Sequence, residues 1–277
     1  MKTVFGLLLL SITLLAISDS TIASSDAPSV ETIVAKSNHA SLYQGTDCQG
    51  TTTMTITDKQ GRVRKRQFNM LRKNGDTVDK EQKYFVYFME PSDVRKMVFM
   101  VHKHVGEGKD DDRWLYMPSL DLVKRIAASD KRTSFVGSDF LYEDISGRSP
   151  EEDAHSLVAT TDNSYVVKNI PQKPDAVEFA FYVAHIDKKT FIPMKIEYFK
   201  AEGRPYRTIE VADVQSVAAT ENGKPVTYPT VMRSVAKDLE SGSQTEMAFA
   251  DPRYNAGLED DLFTERYLRR APKEVLQ

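Results

Sequence analysis

From Thr52 to Phe249 the apolar runs are short, mostly alternating and closed by turns, and this rhythm constrains the fold more than any other feature of the chain. Thr52 to Thr57, the turn Asp58-Lys-Gln-Gly61 and Val63 to Leu71 read as a hairpin. A tight turn at Lys73-Asn74-Gly75-Asp76 follows. Tyr84 to Met89 is apolar on both faces, and Val98 to Val101 nearly so. Gly106 to Asp112 reads as a polar hairpin tip, and the strands Trp114 to Met117 and Val123 to Ala127 flank Pro118-Ser119. In the second half Val177, Phe179, Phe181 and Val183 make one apolar face, and Ile192, Met194, Ile196 and Tyr198 another. Ile209 with Val211, then Val231 to Ala236, then Thr245, Met247 and Phe249 continue the series. Roughly ten strands at spacings of about 10–15 residues imply a large antiparallel sheet, which must roll up or be covered to hide its apolar face.

Three stretches break the rhythm. Pro28 to Tyr43 is helical, with Val30, Ile33, Val34 and Leu42 near one face and Gly45 as its end. Residues 130–150 have no period of two and mix Phe135, Phe140 and Tyr142 with Gly, Ser and Asp. They read as short helical turns, with Ser138 or Asp139 as a cap. Asp260 to Arg270 reads as a helical turn or an edge strand.

The first residues look like a secretory signal. Lys2 precedes the apolar run Val4 to Ile17, and a small polar stretch from Ser18 to Ala27 follows. That run is shorter than the roughly 20 residues of a membrane-spanning helix. Thr21 and Ala23 set the expected cleavage after Ala23, with an uncleaved anchor as the alternative. The expected organisation is therefore a signal peptide, residues 1–23, and one domain, residues 24–277. Cys48 is the only cysteine, so no intramolecular disulfide is available and no cysteine at the signal's end could carry acyl chains. A soluble periplasmic protein is expected. A net charge of −3 lacks the basic excess that nucleic acid demands.

Catalytic signatures are missing. Neither a nucleophile elbow, a phosphate loop nor a dinucleotide fingerprint occurs, and Gly106-Glu-Gly108 is followed by Asp110, Asp111 and Asp112. His102 and His104 would share one side of a strand, as two metal ligands would, but histidines on a solvent-facing edge explain the pair equally. The acids Glu143, Asp144, Glu151, Glu152 and Asp153 read as a solvated loop rather than an acid–base pair. No enzymatic role, metal or cofactor is expected. The ten methionines, 13 phenylalanines and 12 tyrosines are a different matter. Flexible, polarisable methionine suits walls that accept varied apolar ligands, yet the same residues also fill ordinary cores.

Three stretches taken together resemble the LolA-like outer membrane lipoprotein-sorting family of Gram-negative bacteria. They are Pro91 to Arg95 with Met97 to Val101, Trp114 to Ser119 with Val123 to Ile126, and Ser134 to Asp144. Ile186 to Pro193 with Lys195, and Gly223 to Pro229, fit as well. Most members of this branch of the family have Gly after the first motif's Arg; Lys96 stands there in this chain. The resemblance implies a mainly β fold, an incomplete antiparallel β-barrel (a half-barrel) covered by short helices, with an apolar cavity for acyl chains. On that reading Trp114, Tyr116, Phe179, Phe181, Val183, Met194 and Ile196 line the cavity, and Phe135 and Phe140 belong to the lid. The implied function is a periplasmic carrier shuttling the acyl chains of a lipid or lipoprotein towards the outer membrane. Its partners would be an inner-membrane exporter, such as one of the resistance–nodulation–division type, and an outer-membrane acceptor. The alternative is an envelope regulatory or scaffolding module that binds a partner protein and senses lipid or misfolded cargo.

Overall fold

A computed structural model of the chain describes residues 27–106 and 109–276, and the expected signal segment, residues 1–23, lies outside them. The leading helix α1 spans Val30–Asn38. Ser29 caps it by accepting from the Thr32 N–H at 3.2 Å, and a π-helical turn, His39–Tyr43, prolongs it. Gly45 ends the run with φ +65°. Thirteen strands follow. They are β1 (Asp47–Thr57), β2 (Val63–Asn74), β3 (Gln82–Glu90), β4 (Val98–Lys103), β5 (Asp112–Met117), β6 (Leu122–Arg125), β7 (Asp153–Thr160), β8 (Ser164–Pro171), β9 (Phe181–Asp187), β10 (Pro193–Phe199), β11 (Pro205–Glu221), β12 (Lys224–Asp238) and β13 (Ser243–Tyr254). A one-and-a-half-turn helix, α2 (Tyr142–Ser146), interrupts them, and the chain ends in 3-10 turns between Asp260 and Val275.

All thirteen strands form one antiparallel, unclosed sheet in the order β6-β5-β4-β3-β2-β1-β13-β12-β11-β10-β9-β8-β7. The first and last strands therefore meet in the middle, and β6 and β7 are the two edges. Residues 126–152 must carry the chain from one edge to the other. Register fixes the faces, because directly opposed residues project to the same side. Ile56, Thr245, Ala236, Ile209, Ile196, Ala184 and Val167 form one unbroken row across seven strands. Met70, Val86, Phe99 and Leu115 continue that side towards β5.

Residues of this inner side, from β5 round to β11, all pack on the crossing segment through Phe135, Phe140 and Tyr142. Eight strands laid flat would be roughly 34 Å wide at about 4.8 Å per strand. A segment this short reaches them all only because the sheet curls around it. α1 covers the other end of the inner side, burying Ile33 on Val167, Ala184 and Ile186. The outer side of β2 to β6 is covered by the C-terminal turns, whose Leu258, Leu262, Phe263, Leu268 and Val275 pack on Leu71, Phe85, Val98 and Met100. Of the two forms expected for Asp260 to Arg270 the helical turn is the one present, as two short 3-10 turns, Asp260–Phe263 and Glu265–Tyr267. Lys96, where the resembling family has glycine, adopts φ +67°, a conformation that suits glycine better than lysine.

Candidate functional site

The inner side is a bowl of apolar side chains filled by its own lid. Phe135 is fully buried (0 % exposed). Its ring lies 6.0 Å from Phe68, 5.9 Å from Phe88, 5.5 Å from Phe99 and 5.4 Å from Tyr142, centroid to centroid, so four aromatic rings surround a fifth brought in by a loop. Met54 lies in the same cluster, and Met70, Met97, Met117 and Met247 border it. Half of the methionines therefore gather here.

The loop that inserts Phe135 is bonded to itself and tacked to the sheet. The Phe135 N–H donates to the Phe140 carbonyl at 2.7 Å, and Ser138 Oγ donates to the Phe135 carbonyl at 2.8 Å. Ser138 Oγ also accepts from the Phe140 N–H at 3.2 Å, whereas Asp144 caps α2 by accepting from the Leu141 N–H at 2.6 Å. Val136 between them sits at φ +48°, ψ +42°, which costs a β-branched residue of order 1–3 kcal/mol. Two carboxylates fasten the loop. Asp139 accepts from Thr245 Oγ at 2.6 Å and from Ser243 Oγ on β13. Asp144 pairs with the buried Arg207 of β11, which also donates to the Asp139 carbonyl at 3.2 Å. Gly147 then turns the chain at φ +76°, where a Cβ would fall 2.2 Å from Leu42 Cδ1, so the end of this lid abuts the end of the α1 cover.

The structure separates the expected lining residues. Phe135 and Phe140 lie in the inner cluster. Ile196 is on the inner side under α1, whereas Met194 is the extra residue of a bulge between Pro193 and Lys195, where alternation fixes no side. Phe179 precedes β9, where the chain is not yet a strand, and its ring packs on Tyr182 and Tyr198 at 5.7 and 5.3 Å. Phe181 and Val183 project to the outer side, opposite Phe199 and Glu197, and the Phe181 ring stacks on Phe199 at 4.7 Å beneath the Lys168 ammonium. Trp114 and Tyr116 are also on the outer side, under the C-terminal turns, whereas Leu115 between them faces the lid. These four residues therefore face away from the side on which Phe135 and Phe140 lie. β5 is apolar on both faces, so parity could not choose between them. Phe68, Phe88, Phe99, Tyr142 and the methionines were absent from the expected lining. The apolar runs flagged on both faces in β3 and β4 were the available signal.

Contrary to expectation the acidic run is mostly not solvated: Glu151 is exposed, but Glu143, Asp144, Glu152 and Asp153 are buried or partly buried. Arg148 bridges Asp153, Glu152 and Glu143 at 2.9, 3.0 and 3.4 Å, and Lys131 bridges Glu143 and Glu152 at 3.0 Å each. Burial alone would raise the Glu152 pKa, but Arg148 and Lys131 outweigh it and hold the carboxyl below its ordinary value. This cluster borders a cleft of about 890 Å³ between the β4–β5 tip, the lid's two ends and the turn at Pro174–Ala176. His102 faces the outer side, its Nε2–H donating to the Phe263 carbonyl at 2.7 Å, and His104 pairs with Asp112 at 3.2 Å. Among the described residues no three His, Cys, Asp or Glu side chains are grouped as metal ligands would be.

A family model described as "uncharacterized protein" matches residues 80–270. Three solved structures share the fold over most of their length. A DUF1329 family protein from Desulfovibrio piger is 24% identical, with a TM-score of 0.76, covering 86% of this chain and 98% of its own. A structure described as an outer membrane lipoprotein-sorting protein domain, from Vibrio parahaemolyticus, is 25% identical with a TM-score of 0.73, covering 86% and 97%. A LolA superfamily protein from Nitrosomonas europaea is 18% identical with a TM-score of 0.63, covering 87% and 100%. No curated protein matches the sequence.

Proposed function

Since the chain belongs to a LolA-like family, we propose that it is a carrier of lipid acyl chains, which replace the lid's aromatic rings on the inner side of the sheet. One observation carries this reading. The centre of the bowl is filled by Phe135, a side chain on a loop under backbone strain and not one of the sheet's own residues. Withdrawing the loop would open a cavity walled by Phe68, Phe88, Phe99 and methionines.

The magnitudes allow the exchange. Exposing Phe135 and Phe140 costs about 2–3 kcal/mol each, while burying an acyl chain gains about 0.8 kcal/mol per methylene, on the order of 10 kcal/mol for sixteen carbons. Measured from a membrane the gain is small, so loading and unloading stay nearly balanced, as a shuttle requires. The cargo route follows from the same reading: a non-enzymatic periplasmic protein moving lipid or lipoprotein chains from an exporter to an outer-membrane acceptor.

The test is to purify the protein without denaturation, extract and identify lipid, and measure displacement of a fluorescent fatty acid. Recovery of acyl lipid with displacement is expected, and absence of both overturns the carrier. Phe135→Ala adds a second criterion. It should cost about 3–5 kcal/mol of stability without ligand, and acyl ligand should restore more of the melting temperature than it adds to the wild type.

A further inference from the structure

The polar cleft is not an independent surface feature, because two of its walls are the continuation of the bowl's floor. On β4 the inner residues are Phe99, Val101 and Lys103; on β5 they are Leu115 and Arg113. Val101 stands directly opposite Arg113, and Lys103 opposite Gln82 of β3. Within one residue step the floor therefore changes from hydrocarbon to two buried cations. Lys103 is 3 % exposed and Arg113 2 % exposed.

Neither cation is fully served by the protein. Lys103 Nζ donates to the Ser146 carbonyl at 2.9 Å and lies over the Tyr43 ring, but no carboxylate comes within ion-pair distance among the described residues. An ammonium offers three donors, and an unpaired one buried in protein is expensive. Burial pushes its pKa down to about 8. Arg113 pairs through Nη2 with Asp111 and lies 3.6 Å from Asp110 through Nη1, so its charge is balanced, but its buried Nε–H has no partner. Bases and acids then alternate round the rest of the cleft, Lys131 and Lys173 beside Glu151, Glu152 and Asp175.

Resting on the carrier reading and extending it, we infer that Lys103 and the Arg113 Nε–H receive the phosphate of a zwitterionic lipid headgroup whose acyl chains lie under the lid. The phosphate supplies Lys103 with the anionic oxygen it lacks and the Arg113 Nε–H with an acceptor, and the acids at the rim suit an ammonium such as that of ethanolamine. A bare carboxylate would fill only a small part of a cleft of about 890 Å³. The order of contacts, head at Lys103 and chains over Val101, Phe99 and Leu115, follows the strands.

The test compares ligands with identical chains on the wild-type protein, by displacement of a neutral fluorescent acyl probe. Phosphatidylethanolamine should bind at least tenfold tighter than diacylglycerol. Lys103→Met and, separately, Arg113→Met should reduce that ratio at least fivefold, with folding checked by circular dichroism. Binding of both lipids within twofold of each other in the wild type overturns the headgroup site but leaves the carrier standing. Failure of both lipids to bind removes the carrier itself, so the two failures are distinct. Isothermal titration with free phosphoethanolamine provides the remaining arm. Affinity equal to that of the phospholipid would assign the cleft to a soluble phosphate ester and overturn the lipid assignment.

Discussion

A buried ammonium with a single hydrogen bond makes Lys103 a reporter of pH. In the native state its pKa falls to about 8, whereas an unfolded lysine titrates near 10.5. Between those values the unfolded chain holds the proton and the native one does not, so this position makes the protein more stable as pH rises. Below 8 both states are protonated and the dependence vanishes. Urea unfolding at pH 7.5, 8.5 and 9.5 should show the wild type gaining on Lys103→Met, by up to about 2 kcal/mol over this range. A difference that stays flat would refute it. The measurement must stop short of pH 10, where the buried Tyr43 and Tyr84, whose pKa values burial raises, begin to act in the opposite direction. Residue types were readable from the sequence, but sidedness was not. Phe179 and Phe181 stand two apart and end on opposite sides because β9 starts only at Phe181. Leu115 was passed over between two larger aromatics that lie outside.

Among the elements, the lid is the one whose stability is set by few bonds. Asp139 joins it to β13 through two hydroxyls and Asp144 joins it to β11 through Arg207. Removing the Asp139 carboxylate leaves the Ser243 and Thr245 hydroxyls without that acceptor, a loss of about 1–3 kcal/mol. In Asp139→Ala, amides of residues 134–146 should exchange with solvent at least fivefold faster, while those of β3 and β4 keep their protection. Equal acceleration in both regions would mean that the lid does not open separately from the sheet. The leading helix, most strands and the irregular nature of residues 130–150 were legible, because period and turn residues are local signals. The ion pairs were not. Arg207 lies 63 residues from Asp144 in sequence, and although Arg148 stands within five residues of Glu143, Glu152 and Asp153, nothing local says that the group is buried.

At the scale of the molecule the carrier reading raises the question of which side of the sheet would hold acyl chains. Phe181, half exposed on the outer side beneath Lys168, offers the cleanest control. Phe181→Glu should leave acyl affinity within twofold of wild type, since the new carboxylate meets the lysine and not the bowl. Loss of binding would move the cargo to the outer side. The sheet order has a mechanical consequence of its own. The lid is a strap sewn to both rims, β6 at one end and β7 at the other, with the chain's first and last strands paired at the midline between them. A flap hinged at one end can swing free, but a strap attached at both ends lifts only if the rims part. On the carrier reading, cargo that displaced Phe135 would part the rims as it entered, and the sheet's resistance to being flattened would act as a spring that helps expel it again.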